Sequence, residues 1–104
     1  IPVCPEQAGG LATPRPAAER QGSRVVTANG SEVTAQYQRG AEAALYWARL
    51  FHCTKAILKE KSPSCGHGQI YDGTFSRILT AGDGVTAELL RAEGLEIIGE
   101  SDLP

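Results

Sequence analysis

Two thiol-bearing segments hold most of the reactive side chains in this sequence. The first is Cys4-Pro5-Glu6, followed by Arg15 between Pro14 and Pro16. The second is Lys59-Glu60-Lys61-Ser62-Pro63-Ser64-Cys65-Gly66-His67-Gly68, with Tyr71-Asp72-Gly73 just beyond. Cys65 lies between small residues, so backbone amides can turn toward its sulfur. Those amides and Lys61 favour a thiolate, the form that binds metal or attacks an electrophile. Three chemistries remain open for the thiols. Thiolates on two loops suit an iron–sulfur cluster, although no local Cys-x-x-Cys supports it. Cys65 with His67 would form the thiolate–imidazolium pair of a nucleophile. Or both are ordinary loop thiols, able to join as a disulfide.

The neighbouring polar residues divide in the same way. Glu6 is a general acid or base, or a cap for nearby backbone. Arg15, stiffened by its prolines, binds an anionic group or ties loops together through carboxylates. His67 is a ligand, a base or a hydrogen-bonded loop residue. Glu60 and Lys61 read equally as a solvated charge run, and Tyr71-Asp72-Gly73 reads first as a turn. Cys53 is expected to be a buried structural thiol at a helix-to-strand junction. His52 is expected to complement the dipole at a helix C-terminus. Tyr46 and Trp47 are expected to pack the helix that carries them.

These groups need elements to position them. Ile1-Pro2-Val3 reads as the end of a buried strand, and residues 4–23 read as loop with at most short helical turns. Arg24–Thr27 is β-branched and Asn29-Gly30 signals a turn, so a small hairpin or an extended arm is expected there. Tyr37, Ala41, Ala44, Leu45, Ala48 and Phe51 recur at helical spacing, which predicts a helix over about 35–52 with Thr34 as N-cap. Gly40 weakens that helix and marks a close packing point. Lys55–Lys59 predicts a buried parallel strand, and 60–73 a loop. A second helix is expected over 84–93, with Asp83 near its N-cap and Gly94 ending it, then a last strand at Leu95–Ile98. The order predicts an α/β domain with a parallel sheet, right-handed crossovers and flanking helices. Such sheets bind ligands beyond the carboxyl ends of their strands, where Cys4 and Cys65 would both lie.

The bulk properties agree. With 104 residues the chain suits one domain, residues 1–104. A net charge of −2 gives no general pull toward nucleic acid or an anionic membrane. No stretch approaches the roughly 18 apolar residues of a membrane span. Three cysteines, an odd count, favour a cytoplasmic setting over a disulfide-rich secreted one. The sequence begins Ile-Pro-Val-Cys and contains no Met, and so reads as trimmed or as a fragment.

The segments PVCPEQAGGLATPRPAAE, RGAEAAL, AILKEKSPSCGHGQIYDGTFS and GDGVTAELL together resemble the 2-thiouracil desulfurase family, long known only as a domain of unknown function. The resemblance runs from residue 1 to about residue 99. It implies a Rossmann-like α/β domain and a [4Fe–4S] cluster held by three cysteines, with one iron open to sulfur. It implies a non-redox reaction, 2-thiouracil to uracil with release of sulfide. Cys4 and Cys65 match two ligand positions, and Cys53 matches none. By the same resemblance Glu6, Ser62 and Ser64 are the candidate catalytic residues. Arg15, Lys61, His67, Tyr71 and Asp72 are the candidates to bind a thiolated base. The family pattern also includes an earlier strand and a first ligand cysteine, in an SACLLG-like motif, that this sequence lacks. The expectation is therefore an N-terminally truncated domain whose open sheet edge favours a homo-oligomer. The alternative is a binding domain of the same fold without a cluster.

Overall fold

The computed structural model describes residues 5–11, 17–59, 63–66 and 68–99, with the side chains of Glu6 and Gln7 left aside. The expected strand at 1–3 lies outside them. The described chain is a mixed α/β domain with a parallel strand pair and two main helices.

The first helix, α1 (Pro5–Ala8), is one short turn directly after Cys4. It rests on α2 (Thr34–Leu50) through two glycines. A Cβ on Gly40 would lie 1.8 Å from the Pro5 carbonyl oxygen, and one on Gly9 would lie 1.8 Å from that of Gln36. Gly40 is thus the close packing point that its place in the helix suggested.

Between these helices, β1 (Ala18–Gln21) and β2 (Arg24–Thr27) form an antiparallel hairpin. Its two-residue turn is Gly22-Ser23, with only Gly22 at positive φ (63°), as a glycine-first type II′ turn requires. Asn29-Gly30 makes a second reversal, where Gly30 N–H donates to Thr27 O and Val26 bridges Glu32. Thr34 does not cap α2. The N-cap is Val33, and Thr34 Oγ1 instead accepts the Val25 N–H at 2.9 Å, which ties the hairpin to the helix start.

At its other end α2 stops in a Schellman turn. His52 N–H donates to Arg49 O and Cys53 N–H to Ala48 O, with His52 in the left-handed region at φ 53°. His52 is therefore the turn residue itself. The turn also lifts Cys53 to the surface, where it is exposed rather than buried as expected.

The next strand, β3 (Lys55–Leu58), pairs in parallel with β6 (Glu96–Gly99). Ala56 and Leu58 face the helices and join Leu45, Leu90 and Ile97 in one core cluster. Ile57 points the other way and is exposed. The second core cluster is Val25, Val33 and Tyr37, under the hairpin. Tyr46 and Trp47 are exposed, against expectation, because the buried stripe of α2 runs through Tyr37, Ala41 and Leu45.

The expected loop over 60–73 contains a strand. β4 (Gln69–Tyr71) pairs antiparallel with β5 (Leu79–Ala81). So the described strands form three two-stranded sheets, not one parallel sheet. α3 (Val85–Ala92) follows, and Gly94 at φ 92° ends it in a second Schellman turn. None of the described helices is long and apolar enough to cross a membrane.

Candidate active site

The cysteine loop is built onto the start of α3. A helix leaves its first N–H groups without intrahelical partners. Here the loop supplies their acceptors: Val85 N–H donates to Pro63 O at 2.7 Å, and Thr86 and Ala87 N–H donate to Ser64 O at 2.8 and 3.2 Å. Gly84, the N-cap, donates to Gly66 O at 2.8 Å. Approach is so close that a Cβ on Gly84 would lie 2.4 Å from Ser64 C and 2.8 Å from Cys65 N. Asp83, expected near the cap, sits one residue before it. Its Oδ1 accepts Gly68 N–H at 2.8 Å, and its carboxylate pairs with Arg91. The loop is therefore fastened on both sides of Cys65.

Side chains add to this. Ser64 and Thr86 are almost wholly buried, and their hydroxyl oxygens lie 2.8 Å apart. Ser64 Oγ is also 3.7 Å from Cys65 Sγ. Cys65 is half-buried at the wall of a cavity of about 400 Å³. The same cavity is lined by Pro5, by Trp47 and Ala48 of α2, and by the exposed Cys53. Pro5 directly follows Cys4, so the structure brings the two thiol segments to one cavity. Cys4 itself lies outside the described residues.

The remaining candidates separate. Glu6 lies within α1, and its side chain is outside what is described. Arg15, Lys61, Ser62 and His67 also lie outside the described residues. Tyr71 ends β4. Asp72 lines a different cavity, about 440 Å³, beside Arg20, Asp83 and Glu88. Its Oδ1 accepts from the backbone N–H and hydroxyl of Thr74, and its N–H donates to Ile78 O. The Thr74 hydroxyl, and next its N–H, hold the Asp72 carboxyl below the usual aspartate range. Asp72 thus shapes the turn between β4 and β5. Glu19, which sequence reasoning passed over, is buried in that region and accepts N–H bonds from Gly73 and Phe75 at 3.0 and 3.1 Å. A glutamate in a short polar stretch gives no signal of this, because its partners lie far along the chain.

Among the described residues no three His, Cys, Asp or Glu side chains gather closely enough to hold a metal ion. Cys4 and Cys65 are thiol donors of the kind that ligate an iron–sulfur cluster, two of the three positions that the family resemblance implies. A half-buried thiol on a rigid loop faces a cavity that the residue after a second cysteine also lines.

A thiol loop mounted on a helix N-terminus, facing a cavity within an α/β frame, defines a candidate sulfur- or metal-handling domain. The chain belongs to the 2-thiouracil desulfurase family, whose model matches residues 1–102. It is similar to an uncharacterized protein, YbbK, of Bacillus subtilis (strain 168), at 43% identity over 113 residues, spanning 99% of this chain and 75% of that protein. It is also similar to a solved structure, the [4Fe-4S]-dependent thiouracil desulfidase TudS, with a TM-score of 0.98 and 52% identity. That match covers 100% of this chain and 69% of the solved one.

Proposed function

We propose that this chain is an iron–sulfur-dependent desulfurase acting on a thiolated pyrimidine, converting 2-thiouracil and water to uracil and sulfide. The observation that carries the reading is the Cys65 loop, tied to the start of α3 by four backbone hydrogen bonds and facing the cavity that Pro5 also lines. Family membership and the TudS structure support it. In this reading Cys4 and Cys65 would supply two of the three cysteine ligands of a [4Fe–4S] cluster, which when bound would supply a thiophilic Lewis acid.

The rest of the work falls to side chains of the chain. No electron is transferred: a carbon–sulfur bond breaks and a carbon–oxygen bond forms with oxygen from water. Glu6 takes the proton that water releases as it attacks the carbon, and returns it as sulfide departs. The Ser62 and Ser64 hydroxyls donate hydrogen bonds to charge gathering on sulfur. Arg15, Lys61 and His67 orient the base, whereas Tyr71 and Asp72, at the β4–β5 turn, do not line the Cys65 cavity. Its frame is a Rossmann-like domain in the cytoplasm, and a second copy would add at a sheet edge.

The test is anaerobic reconstitution with iron and sulfide of this chain preceded by the family's SACLLG-like segment, followed by measurement of sulfide released from 2-thiouracil. The expected result is a stoichiometric cluster and turnover, both abolished by Cys65→Ser and kept in Cys53→Ser. A protein so extended that stays colourless, or equal losses from the two cysteine changes, would overturn the reading.

A further inference from the structure

Before Cys65 the loop is held by main-chain amides of α3, at Pro63 O and Ser64 O. After Cys65 the holding differs. Gly84 N–H donates to Gly66 O at 2.8 Å and Gly82 N–H to Gly68 O at 3.0 Å. The Gly68 N–H faces the same segment, and its acceptor is a side chain, Asp83 Oδ1 at 2.8 Å. Gly68 is exposed, lies in the left-handed region at φ 80°, and has open space around it. A glycine so placed has wide conformational freedom, and no packing substitutes for the bond.

Asp83 is itself fixed. Arg20 of β1 donates from Nη1 to Asp83 O at 2.7 Å and pairs through Nη2 with Glu88. Arg91 Nε lies 3.3 Å from Asp83 Oδ2, and Arg91 Nη2 donates to Oδ1 at 3.3 Å. The hairpin, α3 and the cysteine loop therefore meet at one residue.

We propose that Asp83 is a positioning residue whose carboxylate oxygen, by accepting the Gly68 N–H, fixes the arm after Cys65 and so holds that thiol at the cavity wall. The inference rests on the reading of Cys65 as a cluster ligand. The direction of the bond is set by its partners, since an amide N–H donates and a carboxylate accepts. An ionised acceptor also makes a stronger bond than a neutral carbonyl. A ligand whose loop is tied on one side alone can swing about that tie. Contacts beyond the ligands that orient them govern how firmly a metal group is kept. The charge of Asp83 has a second, purely structural use, because it faces Arg91 and lies beside the N-terminus of α3.

Two substitutions separate the acceptor from the charge. Asp83→Asn keeps an oxygen for the Gly68 N–H and loses the charge, whereas Asp83→Ala loses both. Both are expected to lower the melting temperature, because the charge is gone from both. In the metal-free chain, amide hydrogen exchange is followed residue by residue by NMR at fixed pH. Gly68 is expected to exchange about tenfold faster or more in Asp83→Ala and within about twofold of wild type in Asp83→Asn. The Cys53 amide, which bonds Ala48 O at the far end of α2, should keep its rate in both. In the extended, reconstituted protein, cluster loss to an iron chelator is followed by absorbance. Asp83→Ala is expected to lose the cluster about threefold faster or more, and Asp83→Asn at the wild-type rate. Wild-type exchange of Gly68 in Asp83→Ala, equal acceleration of Gly68 and Cys53, or wild-type cluster retention in Asp83→Ala would overturn the proposal. So would an Asp83→Asn protein that matches Asp83→Ala in exchange and retention, since the charge would then be the cause. Should Asp83→Ala fail to fold, fast Gly68 exchange in Asp83→Asn would overturn the proposal alone. A wild-type extended protein that takes up no cluster would refute the desulfurase reading and leave the exchange rates to judge Asp83.

Discussion

Gly84→Ala puts the mounting of the cysteine loop to a quantitative test. Gly84 has φ −67° and ψ 167°, which alanine adopts freely. On backbone grounds alone the change should stabilise by about 0.4–1 kcal/mol, through the unfolded chain's lost freedom. The packing predicts the opposite sign. The added Cβ would lie 2.4 Å from Ser64 C, 2.5 Å from Ser64 O and 2.8 Å from Cys65 N, all backbone atoms that cannot swing aside. The loop must retreat by about 1 Å to reach ordinary contact. That retreat stretches the bonds from Val85, Thr86 and Ala87 to Pro63 and Ser64, and the Gly84–Gly66 bond. At about 1 kcal/mol for each bond weakened, the expected loss is about 2–4 kcal/mol. For a domain of this size the melting temperature should then fall by about 10 °C or more, read by calorimetry. Gly94→Ala is the comparison. Gly94 has φ 92° and open space around it, so only left-handed strain applies, about 1–2 kcal/mol. A Gly84→Ala protein as stable as wild type, or more so, would refute the close approach and with it the rigid placement of Cys65.

Gly40→Ala adds helix propensity worth about 1 kcal/mol but drives a Cβ to 1.8 Å from Pro5 O. Overpacking should win, with a net loss of about 1–3 kcal/mol by denaturant titration and faster exchange of the Gly9 amide that bonds Pro5 O. His52→Gly should stabilise by about 0.5–1 kcal/mol, because His52 carries φ 53° in the turn that ends α2. A lower melting temperature for that variant would show that the imidazole contributes more than the strain removes. The Asp72 carboxyl, held below the usual aspartate range first by the Thr74 hydroxyl, stabilises the turn above that range. Its contribution disappears as pH falls through the folded value. Thr74→Ala should return the Asp72 midpoint toward the ordinary range in an NMR titration, and an unmoved midpoint would exclude Thr74 as the cause.

Helices α2 and α3 and strands β3 and β6 were legible because each carries its own signal. Tyr37, Ala41 and Leu45 repeat at helical spacing, and Ala56-Ile57-Leu58 and Ile97-Ile98 are short apolar runs. The small strands were not legible. Ala18-Glu19-Arg20-Gln21 has no β-forming residue, and becomes a strand because Gly22-Ser23 folds it against Arg24–Thr27. Gln69–Tyr71 was hidden in a loop because three residues are too few to show alternation, and Leu79–Ala81 supplies its partner. Trp47 and Cys53 were misplaced for a related reason. Hydrophobic type predicts burial on average, whereas the rotation of α2 and its closing turn decide which residues meet the core.

The sequence by itself determined the main elements, the reactive thiol segments and the family, since residue type, period and short motifs are local properties of the chain. Only the tertiary structure decided that the Cys65 loop is fastened to α3, that Gly84 and Gly40 admit no side chain, and that Ser64 faces Thr86. Those are contacts between residues distant along the chain. Backbone hydrogen bonds and close packing choose them only once the helices have docked, and no local pattern encodes a neighbour that folding alone brings near.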